Sequence, residues 1–582
     1  MKRPLVQAGR SMPPPAASSP RVLGWLMGAA AALAVLLTLG GPGLTIDEPL
    51  DVRPGRDYVK AIRARGWDFF SRATVDRVFR DNAEHPPLGR WLLGLASTLG
   101  EPFQVWWDGP DPTGLHVLAG RAAPALCFGL LIGVITAEAA RRRGRAAGLA
   151  AGWALLVMPR VFSHAHFGAL DTFLSLFWTA ALVAAARAFE PPFSHRRVLL
   201  AGALWALALL TKIHAWLLWP LVAAWACRRL PPRQAIRGLA IWTGAGVALF
   251  LAGWPWLWYD TVPRWAAYWG TSVHRATIMV EYFGRILPDR DVPWHYPWFY
   301  FTVTVPIGLQ LLGGIGLVRG LRGLREDPFP GLLGATIGLF LVLFSTRIPV
   351  YDGERLFLHV FPAWAILIGF GFAWLWERWK ARALVRRLLL AAVLAQCWGT
   401  VTFYPFGLSY YNLLTGGLSG AERLGLELTY WGDAVDRALL DRLAAEVAPG
   451  QAAALAPTLY PGQGILTTTA RLARKEVVLG DESAAGQAEW LIVSRRRAYW
   501  SPELVARIGR RDAVRVATRS RQGVWLSALW HFPGESSGTP RRADPGGPAD
   551  PRRDGGRAAT IRGRGGHSGN SESPSSRNAD NS

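Results

Sequence analysis

Thr45-Ile46-Asp47-Glu48 follows an apolar run, 22–40, of membrane-crossing length, and Glu84-His85-Pro86-Pro87-Leu88-Gly89-Arg90 opens the next apolar stretch. Between the two quotations lies a charged, aromatic segment that includes Tyr58, Trp67, Asp68, Phe69 and Phe70. A carboxylate pair at the mouth of a membrane helix sets acidic groups at a bilayer surface. The His-Pro-Pro turn, a rigid bend, leads the chain back toward it. The run 22–40 is longer than a signal-peptide core and lacks a small-residue cleavage site, so it reads as a retained helix.

Working outward, apolar runs recur as far as residue 403, and several can cross about 30 Å of hydrocarbon. Of 582 residues, 51% are hydrophobic and 12% aromatic, and the mean hydropathy is +0.17. The expected fold is therefore an all-α polytopic membrane protein. Its expected passes lie at 22–40, 115–137, 146–162, 168–189, 239–258, 298–318, 331–346, 356–376 and 388–403. The run 198–227 could be one helix or two hinged at Thr211-Lys212-Ile213-His214. One helix would place the basic loop at Arg228-Arg229 outside, against the positive-inside rule. Two helices are chosen, which gives eleven passes with the N-terminus inside. The apolar stretch 86–99 contains Arg90 and is too short to span, so it is expected along the interface.

A net charge of +23 would suggest nucleic acid in a soluble protein. Here the arginines fall in blocks between apolar runs, such as Arg141-Arg142-Arg143-Gly144-Arg145 and 378–387, as in cytoplasmic loops facing anionic lipid. No basic-aromatic motif accompanies them, so no nucleic-acid partner is expected. Cys127, Cys227 and Cys397 lie in or beside apolar runs and offer neither a disulfide framework nor zinc spacing. The domain plan is a disordered cytoplasmic tail at 1–21, a transmembrane domain at 22–404 with its first outer loop at 41–114, and a small extracytoplasmic α/β domain at 405–532. The last rests on helical periodicity at 433–447 and strand patterns at 490–493 and 524–529. A disordered Gly/Ser/Pro/Arg tail, 533–582, ends the chain.

This topology, drawn from apolar runs and basic loops alone, gathers the unusual polar groups on the outer side. Asp47, Glu48, His85, His164, His166, Asp171, Lys212, His274, Asp352 and Arg355 fall in outer loops or outer helix ends, and Arg121 in the outer third of its helix. Ionisable groups at membrane depth are costly and commonly functional. Bland readings stand beside this one: Asp47-Glu48 as a helix cap, the histidines as interfacial aromatics, Arg121 and Lys212 as snorkelling residues. Lysine is scarce, five against 59 arginines, which makes Lys212 more telling. Asp171, inside an apolar run, demands a partner or a role. The chemistry that fits is sugar transfer from a polyprenyl phosphate. An acidic base takes the acceptor's proton, cations hold the leaving phosphate, and tryptophan-rich segments such as 254–259 and 293–298 offer platforms for sugar rings or form an aromatic belt.

At these residues the chain resembles glycosyltransferase family 39 of the GT-C superfamily, which includes protein O-mannosyltransferases and bacterial aminoarabinose transferases. The matching features are Asp47-Glu48, the turn His85 to Gly89, Arg121 and Asp171 in the same order, and Gly253-Trp254-Pro255-Trp256. So are Val292-Pro293-Trp294-His295-Tyr296-Pro297, Tyr351-Asp352-Gly353-Glu354-Arg355 and Ser409-Tyr410-Tyr411-Asn412. The likeness covers roughly residues 22–420. It implies a GT-C-like fold in the cell membrane and an inverting transfer at the extracytoplasmic face. Asp47 would be the catalytic base, Glu48 an acceptor-placing residue and Asp171 a second acidic group, with His85, Arg121, Lys212 and Arg355 toward the donor. The implied partners are a polyprenyl-phosphate sugar donor, a protein, lipid or glycan acceptor, and membrane lipids. No metal or other cofactor is expected. The chain departs from the eukaryotic mannosyltransferases in lacking a large insert between central helices, and its C-terminal domain matches none of the family's. A lipid-linked-glycan polymerase or ligase and a membrane transporter remain open alternatives.

Overall fold

The computed structural model describes residues 19–80, 85–273 and 276–533. His274 lies outside them, as do most of the N-terminal tail and the C-terminal tail beyond residue 533. The first helix, Pro20–Leu36, starts at an N-cap in which the Ser19 hydroxyl accepts from the Val22 amide, with proline in its first turn. It then packs at backbone distance on the helix Ala122–Arg143. A Cβ added to Gly24 or Gly28 would sit 2.6 Å from the Gly133 or Gly129 carbonyl oxygen, so only small residues allow this approach.

The segment that follows carries two long helices, Asp47–Arg65 and Leu88–Asp108, crossing at Gly55 and Gly94. The second runs well past the apolar stretch 86–99, continuing through Glu101-Pro102-Phe103-Gln104 to the tryptophans 106 and 107. Its helical period leaves Leu95, Leu99, Phe103 and Trp106 exposed along one side.

Among the described residues, five helices are long and apolar enough to span a membrane: Val117–Arg143, Leu170–Ala188, Pro232–Gly253, Arg355–Arg378 and Ala383–Phe403. The pair Tyr296–Val303 and Ile307–Arg322 would make a sixth, bent by 113°, and Pro20–Leu36 and Phe329–Leu343 are shorter apolar helices. Against the eleven expected passes, several apolar runs are broken where the polar residues gather, one of them, 198–227, at the expected hinge. The run 146–162 divides at Met158, where Pro159 cannot donate to the preceding turn. The run 198–227 divides into His195–Leu209 and Leu218–Arg229, with Thr211 and Lys212 in the break. Irregular backbone at such depth is tolerated where it faces protein or a cavity.

A hairpin, β1 (Met279–Tyr282) and β2 (Arg285–Pro288), turns on Phe283 and Gly284, both at positive φ. Strands β3 (Ala453–Ala456), β4 (Leu479–Gly480), β5 (Trp490–Ser494), β6 (Val514–Arg521) and β7 (Val524–His531) form one sheet in the order β4-β3-β5-β7-β6. β3 runs parallel to β4 and β5, whereas β7 is antiparallel to β5 and β6. Alternate residues serve opposite faces. Leu455, Ile492 and Leu529 meet Leu439 and Leu443 of the helix Arg437–Glu446, while Leu491 and Val493 pack with Leu504 and Phe532. The linking stretch 426–436 is pinned to the loop 39–48: Gly43 donates to the Asp433 carbonyl at 2.8 Å and Ile46 to that of Trp431 at 3.1 Å. The sheet-bearing part therefore belongs to the same compact unit as the helices.

Candidate active site

Asp47 opens its helix, where the free amides of the first turn favour a carboxylate. Its side chain is 28% exposed and accepts a short bond from the Arg355 guanidinium. Arg355 also donates to Asp352 at 2.9 Å and to Asp171 at 3.3 Å, and lies 4.2 Å from the ring centre of Trp431. Asp171, at the start of Leu170–Ala188, accepts from Lys212 at 2.5 Å. Four elements thus meet: the head of the helix Asp47–Arg65, the turn that bears Asp352 and Arg355, the head of Leu170–Ala188 and the break that holds Lys212. Asp171 and Asp352 are only 4% and 3% exposed, so Asp47 is the most open of the three carboxylates.

The turn bearing Asp352 and Arg355 is fixed from several sides. Asp352 and Gly353 both take positive φ, and a Cβ on Gly353 would stand 2.7 Å from an Arg160 nitrogen. Gly353 donates to the Tyr296 hydroxyl at 2.9 Å. Arg160, just beyond the break at Met158, pairs with the fully buried Glu354 at 2.9 Å and lies 4.6 Å from the Tyr411 ring centre. These partners belong to the segments 292–297, 351–355 and 409–412 singled out in the sequence.

Other expected residues sit nearby in different roles. Glu48, fully buried, accepts from Arg121 through both oxygens at 2.7 Å and from the Thr45 and Gly168 amides at 2.9 and 2.8 Å. Arg121 spends its remaining donors on the carbonyls of Leu39, Pro42 and Gly43. Glu48, expected to place an acceptor, and Arg121, expected toward the donor, are thus bonded to each other and to backbone in this structure. Both groups are consumed in clamping the loop 39–48 to the helix heads, with no hydrogen-bonding capacity left for a ligand. His166 is likewise a pin, between the Thr38 hydroxyl at 2.8 Å and the Phe162 carbonyl at 2.9 Å. His164 is different. Buried beside Trp431, it has no hydrogen-bond partner at either ring nitrogen among the described residues, and burial drives it down to about 3. His85 stands next to the Lys212 break, because the Leu88 amide of its turn donates to the Leu210 carbonyl at 3.0 Å. Desolvation first, then the charge of Arg90 and Lys212, hold its imidazole well below the usual range.

Sequence reasoning missed Trp431, which faces Arg355, and Arg496, which donates to Asp352 at 3.1 Å. Trp431 carried only a faint signal as one of 29 tryptophans, and Arg496 none, being the second of three adjacent arginines. Among the described residues no group of three or more His, Cys, Asp or Glu side chains is arranged to hold a metal ion. A cavity of about 340 Å³ opens beside the site between the loop 40–44, Trp107 and the sheet-bearing part, with Arg437, Arg471 and Arg474 in its wall. A narrower cleft shares Leu44, Val435 and Thr467 with it and reaches Ile46, the neighbour of Asp47.

A bundle of apolar helices, broken around a buried set of alternating acids and bases, defines a membrane protein with a polar centre. Residues 84–259, the segment with His85, Arg121, Asp171 and Lys212, match the family described as dolichyl-phosphate-mannose-protein mannosyltransferase, so the glycosyltransferase resemblance read from the motifs is met there. ArnT from Cupriavidus metallidurans in the apo state is 18% identical, over 87% of this chain and 98% of that one, with a TM-score of 0.46. The same protein bound to undecaprenyl phosphate gives 17%, the same coverage and 0.43. The apo oligosaccharyltransferase of Archaeoglobus fulgidus gives 12%, 82% and 69% coverage, and 0.40. No curated protein sequence matches the chain.

Proposed function

We propose that this chain is an inverting membrane glycosyltransferase that moves a sugar from a polyprenyl phosphate to a hydroxyl of a protein, lipid or glycan acceptor, at the extracytoplasmic face of the cell membrane. The observation that carries the reading is the uneven exposure of the carboxylates around Arg355. Asp47 is open, while Asp171 and Asp352 are closed in behind it. An acceptor reaching the site meets Asp47 before Asp171 or Asp352. The acceptor oxygen attacks the anomeric carbon as its proton passes to Asp47. The bond from that carbon to the phosphate oxygen breaks, and its electron pair leaves with the lipid phosphate.

Lys212 and Arg355 are the cations proposed for that phosphate, since every donor of Arg121 is already bonded to Glu48 or to backbone carbonyls. Both begin paired to carboxylates, so the incoming anion competes with Asp171 and Asp47 for them. As Arg355 turns toward phosphate, the Asp47 oxygen it covered is uncovered, and the base becomes available when the donor is in place. The broken helices support the same reading, in which their broken ends and the sheet lie on the outer side.

The test is to incubate purified protein with a panel of polyprenyl-phosphate sugars and follow which is consumed. Asp47→Asn keeps shape and hydrogen bonding but loses the basic oxygen. General-base contributions are about 10²–10⁴-fold, so this variant should bind donor and turn over at least about a hundredfold more slowly. Near-normal turnover in Asp47→Asn together with a dead Asp171→Asn would move the base to Asp171.

A further inference from the structure

Arg496 lies just past β5, 4% exposed, with no motif around it. Its Nη1 donates to the Tyr430 carbonyl in a short bond and its Nη2 to Asp352 at 3.1 Å, and its Nε is 3.8 Å from Glu427. Tyr499 lies 4.8 Å from it, ring centre to guanidinium carbon. Asp352 offers its other oxygen to Arg355, which holds Asp47. An unbroken line of charged contacts therefore runs from the sheet to the open carboxylate: Arg496, Asp352, Arg355, Asp47.

Charge balance shows what the first link does. Asp47, Asp171 and Asp352 face Arg355, Lys212 and Arg496, three acids against three bases, and Glu427, the fourth carboxyl group, is pushed up to about 8 by burial and adds little charge. Without Arg496, Asp352 would be a buried carboxylate with Arg355 as its only close cation, and uncompensated buried charge is costly. The cheapest relief is for Arg355 to move onto Asp352 and away from Asp47 and Asp171.

We propose that Arg496 is a positioning residue of the sheet-bearing region: by neutralising Asp352 it keeps Arg355 centred between Asp47 and Asp171, where a lipid phosphate can take it over. The consequence for turnover rests on the function proposed above. The position of Arg355 does not.

Two measurements on the full-length protein in lipid nanodiscs separate these. Cryo-EM of Arg496→Met should show Arg355 drawn onto Asp352 and off Asp47, with the Gly43–Asp433 contact intact. An unchanged Arg355–Asp47 contact would overturn the proposal. In the donor-consumption assay, Arg496→Met should lose at least tenfold in turnover, Arg496→Lys should recover most of it, and Asp352→Asn added to Arg496→Met should suppress the defect by removing the charge that pulls Arg355 away. Losses that multiply in the double variant would mark Arg496 as a structural prop and overturn the proposal. If Arg496→Met sheds its sheet, the Arg496→Met/Asp352→Asn pair still decides, because only a positioning role predicts rescue. A wild-type protein that consumes no polyprenyl-phosphate sugar would end the functional reading and leave the cryo-EM result to judge Arg496.

Discussion

Glu48 and Asp47 are adjacent in sequence and opposite in circumstance. Glu48 is fully buried against Arg121, with four hydrogen bonds to its two oxygens. Glu48→Gln keeps the shape but leaves a buried guanidinium short of its counter-charge, and breaking such a pair costs about 3–5 kcal/mol. The variant should lower the unfolding midpoint of the detergent-solubilised protein, and the acceptor KM of whatever folded protein remains should stay unchanged. A raised acceptor KM at normal stability would restore Glu48 to the acceptor side. At this scale the sequence marked which residues come together better than what each one touches. Asp171, Lys212 and Arg355 stood out as charges placed where hydrocarbon is expected. Their pairing was hidden, because it joins residues up to 308 positions apart. The saturation of Arg121 by three backbone carbonyls was hidden too, since carbonyls leave no mark in a sequence.

The linking stretch 426–436 is the element on which the sheet hangs, and it holds two carboxyl groups out of water. Burial pushes Asp433 up to about 7. Burial, aided by Asp352 and Glu281 and opposed by Arg496, pushes Glu427 up to about 8. Unfolded, both ionise near pH 4, so between pH 4 and 7–8 the folded protein keeps protons that the unfolded chain has lost. Stability from this stretch is full below pH 4 and falls as pH rises through that window, by at most about 1.4 kcal/mol per pH unit for each group. Thermal melts of the C-terminal half, followed by exchange of its amides, should show this slope. Glu427→Gln should flatten it between pH 5 and 8, and an unchanged slope would contradict the assignment. Elements were legible where a pattern is long. The helix at 437–446, the strands at 490–494 and 524–531 and the break at 211–212 follow from periodicity or from loop charge. The β1–β2 hairpin was not legible, because two four-residue strands around Phe283-Gly284 give periodicity nothing to act on. The break at Met158 had a visible cause in Pro159, outweighed in the reading by the apolar residues around it.

For the molecule as a whole the open quantity is which way each loop faces. Reporter fusions after Arg145, Arg233 and Arg322 should report cytoplasm, and fusions after Asp108, Asp289 and Gly450 should report the outer side. A cytoplasmic signal at Gly450 would carry the sheet, and Asp47 with it, across the membrane, because the Gly43–Asp433 and Ile46–Trp431 bonds leave them no separate choice. Composition established a multi-pass membrane protein at once, since apolar runs of that length have no other solvent. It could not establish the number of passes, because a helix broken at a polar centre and a helix that never spans read alike in hydropathy.

The acids and bases that meet around Arg355 form a set with no net charge, and this has a thermodynamic sequel. Such a site works as an ion exchanger, in which an arriving phosphate displaces buried Asp171 from Lys212 and leaves that carboxylate, unlike the open Asp47, to find another counter-charge. The readiest one in a dry setting is a proton. Donor binding should therefore draw protons from the medium and weaken as pH rises. Calorimetric titrations of one polyprenyl phosphate, repeated in buffers of different ionisation enthalpy, would reveal that uptake as a buffer-dependent heat, and a heat independent of the buffer would show that the exchange takes place without it.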